Sequence, residues 1–160
     1  MFDVIARTRT CRYMTREHIQ DFVDAGSMRH LSAGTRLFGQ GDPGESMYVI
    51  LSGGVSIVKT DRDGVEQTLT SLGPGEIVGE MSMVDCQPRS AKALVFADAT
   101  LFEMSRKQLV QLAKVKPDIA SRLLFAVVET ISLRLRQTEG LYQALLARTL
   151  SSQESGGAGF

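Results

Sequence analysis

Ten of the fifteen glycines lie between Gly34 and Gly79, where they separate short apolar runs. These runs are rich in β-branched and aromatic residues, which favour strands, and the turn-forming sequences SGG, DRDG and GPGE stand between them. Three such runs are MYVIL (47–51), VSIVK (55–59) and EQTLTSL (66–72), and two runs of the same kind, ALVFA (93–97) and TLFEM (100–104), follow Gly79. Short strands that recur about every ten residues are typical of a sandwich or barrel rather than of βαβ units. This part of the chain therefore predicts a mostly β core.

Helical patterns flank the strand-rich part on both sides. Thr15–Gly26 begins with a capping residue, ends at a glycine and carries apolar residues at helical spacing, so it predicts a short amphipathic helix. SRKQLVQLAKVKP opens with the capping residue Ser105 and predicts a second short helix that ends at Pro117. The pattern from Asp118 to Ala147 predicts one long helix. Residues 151–160 are small and polar, which predicts a disordered tail.

The long helical pattern carries a heptad seam. Its members follow one another in alternating steps of four and three residues: Leu124, Val128, Ile131, Leu135, Thr138, Tyr142 and Leu145. Such a seam predicts that two chains pair in parallel as a homodimer. Three heptads are short and Gly140 interrupts them, so packing of the stripe on the chain's own barrel remains an alternative.

Composition narrows the range of partners. Lysine plus arginine and aspartate plus glutamate number 18 each, so the chain lacks the basic excess of a general nucleic-acid binder. A small anionic ligand is still compatible, because one well-placed arginine suffices. The two cysteines, Cys11 and Cys86, form neither a disulfide framework nor a metal cluster. The sequence shows no secretion signal and no apolar run near the ~20 residues that span a bilayer, so we expect a cytoplasmic protein without membrane contact.

The stretch GQGDPG (39–44) matches the dinucleotide-binding pattern G-x-G-x-x-G letter for letter. That fingerprint requires a helix to open inside it, so that backbone amides face a pyrophosphate. Here Pro43 and the strand-like SMYVIL follow instead. We therefore interpret the stretch as a turn.

Catalytic and metal sites find no support in the sequence. His18 and His30 are the only histidines, and neither lies in the strand-rich part, where a β-barrel metalloenzyme would gather its ligands. No serine or cysteine lies in a nucleophile-elbow sequence beside a base. We expect no enzymatic activity, no catalytic residue and no metal cofactor.

The segment GEMSMVDCQPRSA (79–91) places an acid, Glu80, and a base, Arg89, nine residues apart around a short apolar turn. A helical turn after Gly79 would leave its first amides available to an anion. An ionised carboxylate accepts hydrogen bonds from hydroxyls, and a guanidinium binds a phosphate in bidentate fashion. A ribose cyclic phosphate presents both functions together. On spacing alone, a salt bridge between Glu80 and Arg89 that pins a loop is an equally open interpretation.

This segment resembles the phosphate-binding cassette of cyclic-nucleotide-binding domains, the family of the catabolite activator protein and the regulatory subunits of cAMP-dependent kinase. That cassette runs G-E, two or three small or apolar residues, a short loop, then P-R and small residues. GTRLFGQGDPGESMYVILSGGVSI (34–57) is similar to the family's opening barrel hairpin, and the helices after Ser105 resemble its hinge helices. The resemblance implies a double-stranded β-helix, or jelly-roll, barrel over about 30–105, with an N-terminal helix, a short cassette helix, and a hinge and long helix over 106–147. Residues 1–150 then form one domain.

The resemblance also implies roles for individual residues. Gly79 and Glu80 are expected to bind the ribose 2′-hydroxyl. The groups expected to hold the cyclic phosphate are the Met81 and Ser82 amides, the Arg89 side chain, Ser90 and the Ala91 amide. The residues expected beside the sugar or base are Val78 and, from the long helix, Arg134 or Thr138.

Bacterial regulators of this type usually continue into a helix-turn-helix, whereas this sequence stops at Phe160. The resemblance therefore implies a stand-alone sensor that signals to an effector protein through its C-terminal helices without binding DNA directly. We expect cAMP as the ligand and keep cGMP as the alternative. Ser90 does not decide between them, because a serine at this position occurs in receptors for both. Two other hypotheses remain: a ligand-free protein-interaction module on the same barrel, and a redox sensor that uses Cys86.

Overall fold

The chain is described by a computed structural model that covers residues 2–156, with side chains up to residue 148. It divides into two compact units, with the boundary between Val127 and Val128. This boundary falls inside the long helix, so the two units share one continuous element. That residues 1–150 form a single domain stays a prediction.

The first unit is built on an antiparallel sheet, as the sequence predicted. Its strands are β1 (Ser27–Leu31), β2 (Arg36–Phe38), β3 (Ser46–Thr60), β4 (Glu66–Leu72), β5 (Ile77–Val78) and β6 (Lys92–Ser105). The order is β1-β6-β3-β4, with β2 paired to β6 and β5 paired to β3. β6 pairs with β1, β2 and β3, and β3 pairs with β4, β5 and β6, so these two strands form the centre of the sheet.

β3 and β6 are long strands, each of which joins two runs that the sequence separated. The register between them shifts repeatedly between Ile50 and Val55, so the pair bends there without ending. Gly53 has φ of 77°, and a Cβ at this position would lie 2.2 Å from the carbonyl oxygen of Asp98. The SGG sequence thus marks a bulge where two backbones approach closely, rather than the predicted turn.

Strands β1, β2 and β5 were not among the predicted strands. β1 has the sequence SMRHL with no buried residue, and β5 has only two residues, so neither shows an apolar run or a clear alternation. Their partners stabilise them instead: β1 pairs with β6 in unbroken register, from Ser27 opposite Glu103 to Leu31 opposite Ala99. Tertiary pairing overrides weak local preference here.

The helices confirm the predicted pattern and add to it. They are α1 (Phe2–Ala6), a 3₁₀ helix (Arg9–Cys11), α2 (Arg16–Ala25), α3 (Glu80–Asp85), α4 (Arg106–Val115) and α5 (Pro117–Gly156). Thr15 and Ser105 cap α2 and α4, as the sequence predicted for both helix starts, and the structure shows that each cap is part of a capping box. α1 and the 3₁₀ helix were not predicted; both are short and are anchored by the buried side chains of Ile5 and Cys11. Within residues 2–156, no helix combines the length and apolar character needed to cross a membrane.

The long helix α5 extends beyond its predicted end at Ala147. It continues through Gly156, so residues 151–156 are helical, whereas the sequence predicted a disordered tail over 151–160. The physical reason is that no glycine or proline lies between Leu141 and Ser155 to end the run of backbone hydrogen bonds. Residues 157–160 lie outside the described residues.

The hydrophobic core lies between the bent strands. Its main cluster consists of Tyr48, Ile50, Val55, Leu72, Val78, Ala93, Val95, Ala99 and Leu101. Full burial of an aliphatic side chain of this kind contributes roughly 1.5–3 kcal/mol. Val78 belongs to this cluster and immediately precedes Gly79, and it pairs with Tyr48 across the sheet. The first residue of the cassette is therefore attached directly to the core.

Candidate functional site

Gly79 starts the cassette helix, as the sequence predicted. It is the N-cap of α3 and has φ of 80°, a left-handed conformation that glycine adopts without strain. A Cβ at this position would lie 2.5 Å from Nη1 of Arg89. Glycine is required here for two reasons, the backbone conformation and the close approach of the arginine.

Arg89 is the buried base of the cassette, with 4% of its surface exposed. Its guanidinium donates hydrogen bonds to the carbonyl oxygens of Gly79, at 2.7 Å, and Ser46, at 2.5 Å. Its Cζ lies 4.2 Å from the ring centroid of Phe38, a cation–π contact. Its Nε is buried and has no hydrogen-bond partner among the described residues. A buried N–H group without an acceptor is costly and rare, so this donor is a place where an acceptor would bind favourably.

Burial also sets the electrostatics of Arg89. Desolvation lowers the pKa of the guanidinium, while attraction to Tyr48, Glu80 and Asp42 raises it. An arginine stays protonated in proteins, so the site holds a positive charge in a poorly solvated place. An anion beside it would offset part of the cost of burying that charge.

Glu80 is the second buried charge, with 1% of its surface exposed, at the first position of α3. It attracts Arg89 and has a partner within the fold. The guanidinium of Arg89 is anchored to two main-chain carbonyl groups in addition. This arrangement of one buried acid and one buried base agrees with a structural ion pair and with a ligand site.

The other residues that were predicted for the site within residues 78–91 differ in their exposure. Ser82, Val78 and Ala91 are buried, whereas Met81 has 48% of its surface exposed and Ser90 is exposed. Their predicted contacts with a phosphate and a sugar stay predictions.

The two residues predicted to touch the base, Arg134 and Thr138, lie in the second unit. Oγ1 of Thr138 donates a hydrogen bond to the carbonyl oxygen of Arg134 at 2.9 Å, one helical turn earlier. The side chain of Arg134 is half-buried and that of Thr138 is exposed. Their role at a base stays a prediction.

The Gly39–Gly44 stretch is a turn, and no helix opens inside it. The amide of Gly39 donates to the Asp42 carboxylate at 2.6 Å, which closes the turn. The amide of Gly41 donates to the carbonyl oxygen of Arg89, and the amide of Arg89 donates to the carbonyl oxygen of Asp42, each at 2.8 Å. The turn therefore fixes the main chain of Arg89.

Sequence reasoning missed three residues that surround the guanidinium. They are Phe38, Ser46 and Tyr48, which lie more than 40 positions before Arg89. Phe38 and Tyr48 stack with ring centroids 6.4 Å apart. The only signal in the sequence is that aromatic residues stand on both sides of the Gly39–Gly44 turn.

Comparison with known proteins identifies the family. The family model for the cyclic nucleotide-binding domain matches residues 28–116. The cyclic AMP receptor protein of Thermus thermophilus is 37% identical over 106 residues, which are 66% of this chain and 47% of that protein. A solved cyclic nucleotide-binding domain from Methylobacillus flagellatus KT has a TM-score of 0.82 at 26% identity and covers 92% of this chain and 83% of its own.

The regulator CLP of Xanthomonas campestris, described as responsive to c-di-GMP, is also similar in structure. It has a TM-score of 0.73 at 30% identity, over 86% of this chain and 71% of its own. The chain therefore belongs to the cyclic nucleotide-binding domain family, and the predicted jelly-roll barrel with flanking helices is confirmed. The chain spans about half the length of the curated relatives that it matches.

Proposed function

We propose that this chain is a cytoplasmic sensor that binds a cyclic nucleotide at the segment 79–91. The nucleotide that we expect it to bind is cAMP. The observation that carries the proposal is the buried guanidinium of Arg89, whose Nε has no acceptor among the described residues. A cyclic phosphate supplies such an acceptor and a compensating negative charge together. The family supports the same assignment.

The proposed binding mode uses both ends of the cassette. The cyclic phosphate would take hydrogen bonds from the Arg89 side chain, from Ser90 and from the amides of Met81, Ser82 and Ala91. The ribose 2′-hydroxyl would donate to the buried carboxylate of Glu80. Because α3 begins at Glu80 and Arg89 donates to the carbonyl oxygen of Gly79, both ends of the ligand would be bound by one connected segment.

Fewer observations support the identity of the base than support the binding of a phosphate. One acid and one base suit a single ribose cyclic phosphate, which supports cAMP or cGMP. The Thermus thermophilus relative carries the name cyclic AMP receptor protein, which supports cAMP. The similarity to the c-di-GMP responsive CLP makes a cyclic dinucleotide the rival to test.

The test is calorimetric titration of the protein with cAMP, cGMP and c-di-GMP. We expect saturable heat with cAMP, weaker binding of cGMP, and no heat with c-di-GMP. The same titration of Arg62→Ala, which removes an exposed arginine in the β3–β4 turn, is the matched control and should reproduce the unaltered protein. Absence of heat with all three nucleotides at millimolar concentration would support the ligand-free interaction module instead.

The redox alternative rests on the exposed Cys86, because burial raises the pKa of the other thiol, Cys11, to about 11 and makes it unreactive. Nucleotide affinity should stay unchanged after mild peroxide treatment if Cys86 has no sensing role.

We further propose that the output of nucleotide binding passes to an effector protein through α4 and α5. A ligand shifts an equilibrium only by its differential affinity for two arrangements, so the helices must have two arrangements that the nucleotide distinguishes. The connection that supports this is Arg106, the first residue of α4, which donates to the carbonyl oxygens of Ser82 in α3 and Gly44 in the turn.

The chain is also proposed to form a homodimer along α5. Apolar side chains of the predicted seam are exposed on this helix, with Val128 at 59%, Leu135 at 59%, Tyr142 at 62% and Leu145 at 61%. Light scattering at micromolar protein should give the mass of two chains, and Leu135→Glu with Tyr142→Glu should reduce it to one. A monomer mass for the unaltered protein would contradict the dimer.

A further inference from the structure

A concave surface lies beside the cassette in the first unit. It has a volume of about 1040 Å³ and is lined by parts of three segments: the turn 41–45, the cassette loop 86–88 and the start and one face of α4. We name it the α4 groove. Its lining residues from α4 are Arg106, Lys107, Val110, Gln111 and Lys114. Steps of three and four residues from Lys107 onward place these side chains on one face of the helix.

The other face of α4 contributes to the core of the first unit. Leu112 has 6% of its surface exposed and Leu109 is half-buried. Val110, by contrast, has 49% of its surface exposed and belongs to the groove. Pro43 and Pro88 line the groove as well, so it combines an apolar patch with the charged residues of α4.

The charge of the groove is locally positive although the chain as a whole is neutral. Arg106, Lys107 and Lys114 line it, against the single acid Glu45. The guanidinium of Arg106 is engaged with main-chain carbonyl groups, whereas Lys107 and Lys114 are exposed at opposite ends of the helix face. An occupant that matches this surface carries negative charges at both ends and an apolar group between them.

We propose that the α4 groove binds a short acidic segment of a partner protein. Carboxylates of that segment would pair with Lys107 and Lys114, and an apolar side chain between them would contact Val110 and Pro88. A concave surface of this size suits a peptide, whereas a membrane surface is flat and would need the lysines on a convex face. A nucleic acid would need an extended basic stripe without an acid such as Glu45.

The groove adjoins the proposed nucleotide site through the chain itself. Gln87 and Pro88 line the groove and directly precede Arg89, and Arg106 connects the groove to α3. If the proposed function holds, the acidic segment and the nucleotide therefore affect each other's affinity, and by linkage they do so by the same factor. This coupling rests on the proposed function; binding of the segment itself does not.

The probe is a displayed library of random peptides that is selected on the unaltered protein alone, and the enriched peptides are then measured on the double variant Lys107→Glu/Lys114→Glu. We expect the enriched peptides to carry Asp or Glu on both sides of an apolar residue. Synthetic versions should bind the double variant at least about tenfold more weakly than the unaltered protein, because reversed charges repel the carboxylates. Lys59→Glu, which reverses an exposed lysine in β3 outside the groove, should bind them as the unaltered protein does.

Three outcomes would overturn the proposal. One is a selection whose peptides lack acidic residues or bind the double variant equally well. Another is an equal loss in Lys59→Glu, since that would show a general charge attraction. The third is binding of the unaltered protein, and not of the double variant, to phosphatidylglycerol vesicles with no peptide enriched, since that would assign the groove to a membrane.

Nucleotide titration of the double variant separates this proposal from the proposed function. Lys107 and Lys114 have no assigned role at the nucleotide, so the double variant should bind cAMP as the unaltered protein does. Peptide binding at the groove without any nucleotide binding would refute the proposed function and leave the docking surface standing. Nucleotide binding without groove-dependent peptides would do the reverse.

Discussion

Two glycine-containing turns of this chain meet at Arg89, and they differ in what they bury. The turn 39–44 carries every letter of a dinucleotide-binding pattern, yet Gly41 and Asp42 use their main-chain groups to fix the backbone of Arg89. The segment 79–91 buries Glu80 and Arg89 almost completely. One turn is a support, and the other carries the charges that a ligand can recognise.

The difference shows that burial of charge identifies a candidate site better than a letter pattern does. Taking a charged side chain out of water costs several kcal/mol unless partners compensate it. Arg89 has two main-chain acceptors and an aromatic ring, yet its Nε has no acceptor within the described part of the chain. In the 39–44 turn, the hydrogen bonds described lie within the turn or join it to the main chains of Arg89 and Thr60 and to the side chain of Arg106.

The largest effect that tests this comparison is expected from Arg89→Ala. Truncating one member of a buried charge pair costs about 2–5 kcal/mol, so affinity for cAMP should fall by roughly 30-fold to several-thousand-fold. Calorimetry measures the loss, and Arg89→Lys, which keeps the charge but lacks the planar fork, should recover only part of the affinity.

Thermal unfolding of the Arg89→Ala and Arg62→Ala variants serves as the folding control for this prediction. If folded Arg89→Ala bound cAMP as tightly as the unaltered protein, the division between support and site would be wrong.

A smaller effect is expected on stability from Gly44→Ala, which tests the supporting role of the turn. A Cβ at Gly44 would lie 1.9 Å from Cβ of Ser82, so the substitution overpacks the contact with α3. We expect a loss of about 1–3 kcal/mol in the free energy of unfolding, measured by urea denaturation.

Gly41→Ala is the matched control within the same turn. Gly41 has φ of 85° but no atom within 4 Å of the added Cβ, so only backbone strain of about 1–2 kcal/mol applies. Nucleotide affinity should fall in Gly44→Ala more than in Gly41→Ala, because only Gly44 touches the cassette helix. Equal losses of affinity in the two variants would show that the contact of Gly44 with the cassette helix has no special role in nucleotide binding.

The sugar is expected to contribute less to affinity than Arg89 does. We expect the unaltered protein to prefer cAMP over 2′-deoxy-cAMP by roughly 10-fold to 150-fold, since a hydrogen bond to a charged group contributes about 1.5–3 kcal/mol. Glu80→Ala should bring the ratio of the two affinities close to one, whatever it does to the affinity for cAMP. Competition titrations measure the ratio directly. An unchanged ratio would show that Glu80 does not bind the ribose 2′-hydroxyl.

Much of this arrangement was predictable from local sequence. The start of a helix depends on a few neighbouring residues, so a local sequence signal is enough to predict it. This holds for the caps at Thr15 and Ser105 and for the start of the cassette helix at Gly79. The pair Glu80 and Arg89 was predictable for the same reason, because both belong to one short segment with a specific family resemblance.

What was not predictable depends on contacts between distant residues. Ser46 and Phe38 reach Arg89 only because β3 and β2 fold next to the cassette, and no local pattern marks a carbonyl group as an acceptor. β1 is a strand because β6 pairs with it, and Gly53 is a bulge because Asp98 lies opposite. The end of α5 was misplaced because polar residues near a chain end resemble a disordered tail even when nothing interrupts the helix.

The most direct test of the central claim is the ¹H–¹⁵N correlation signal of the Arg89 Nε–H group during titration with cAMP. Arg89→Lys assigns this signal by its disappearance. We predict a saturable shift of the Nε signal as a phosphate oxygen accepts the hydrogen bond, with the Nε signal of Arg62 unmoved. A signal from Arg89 that does not move while cAMP binds would show that the nucleotide is recognised elsewhere, and would contradict the account.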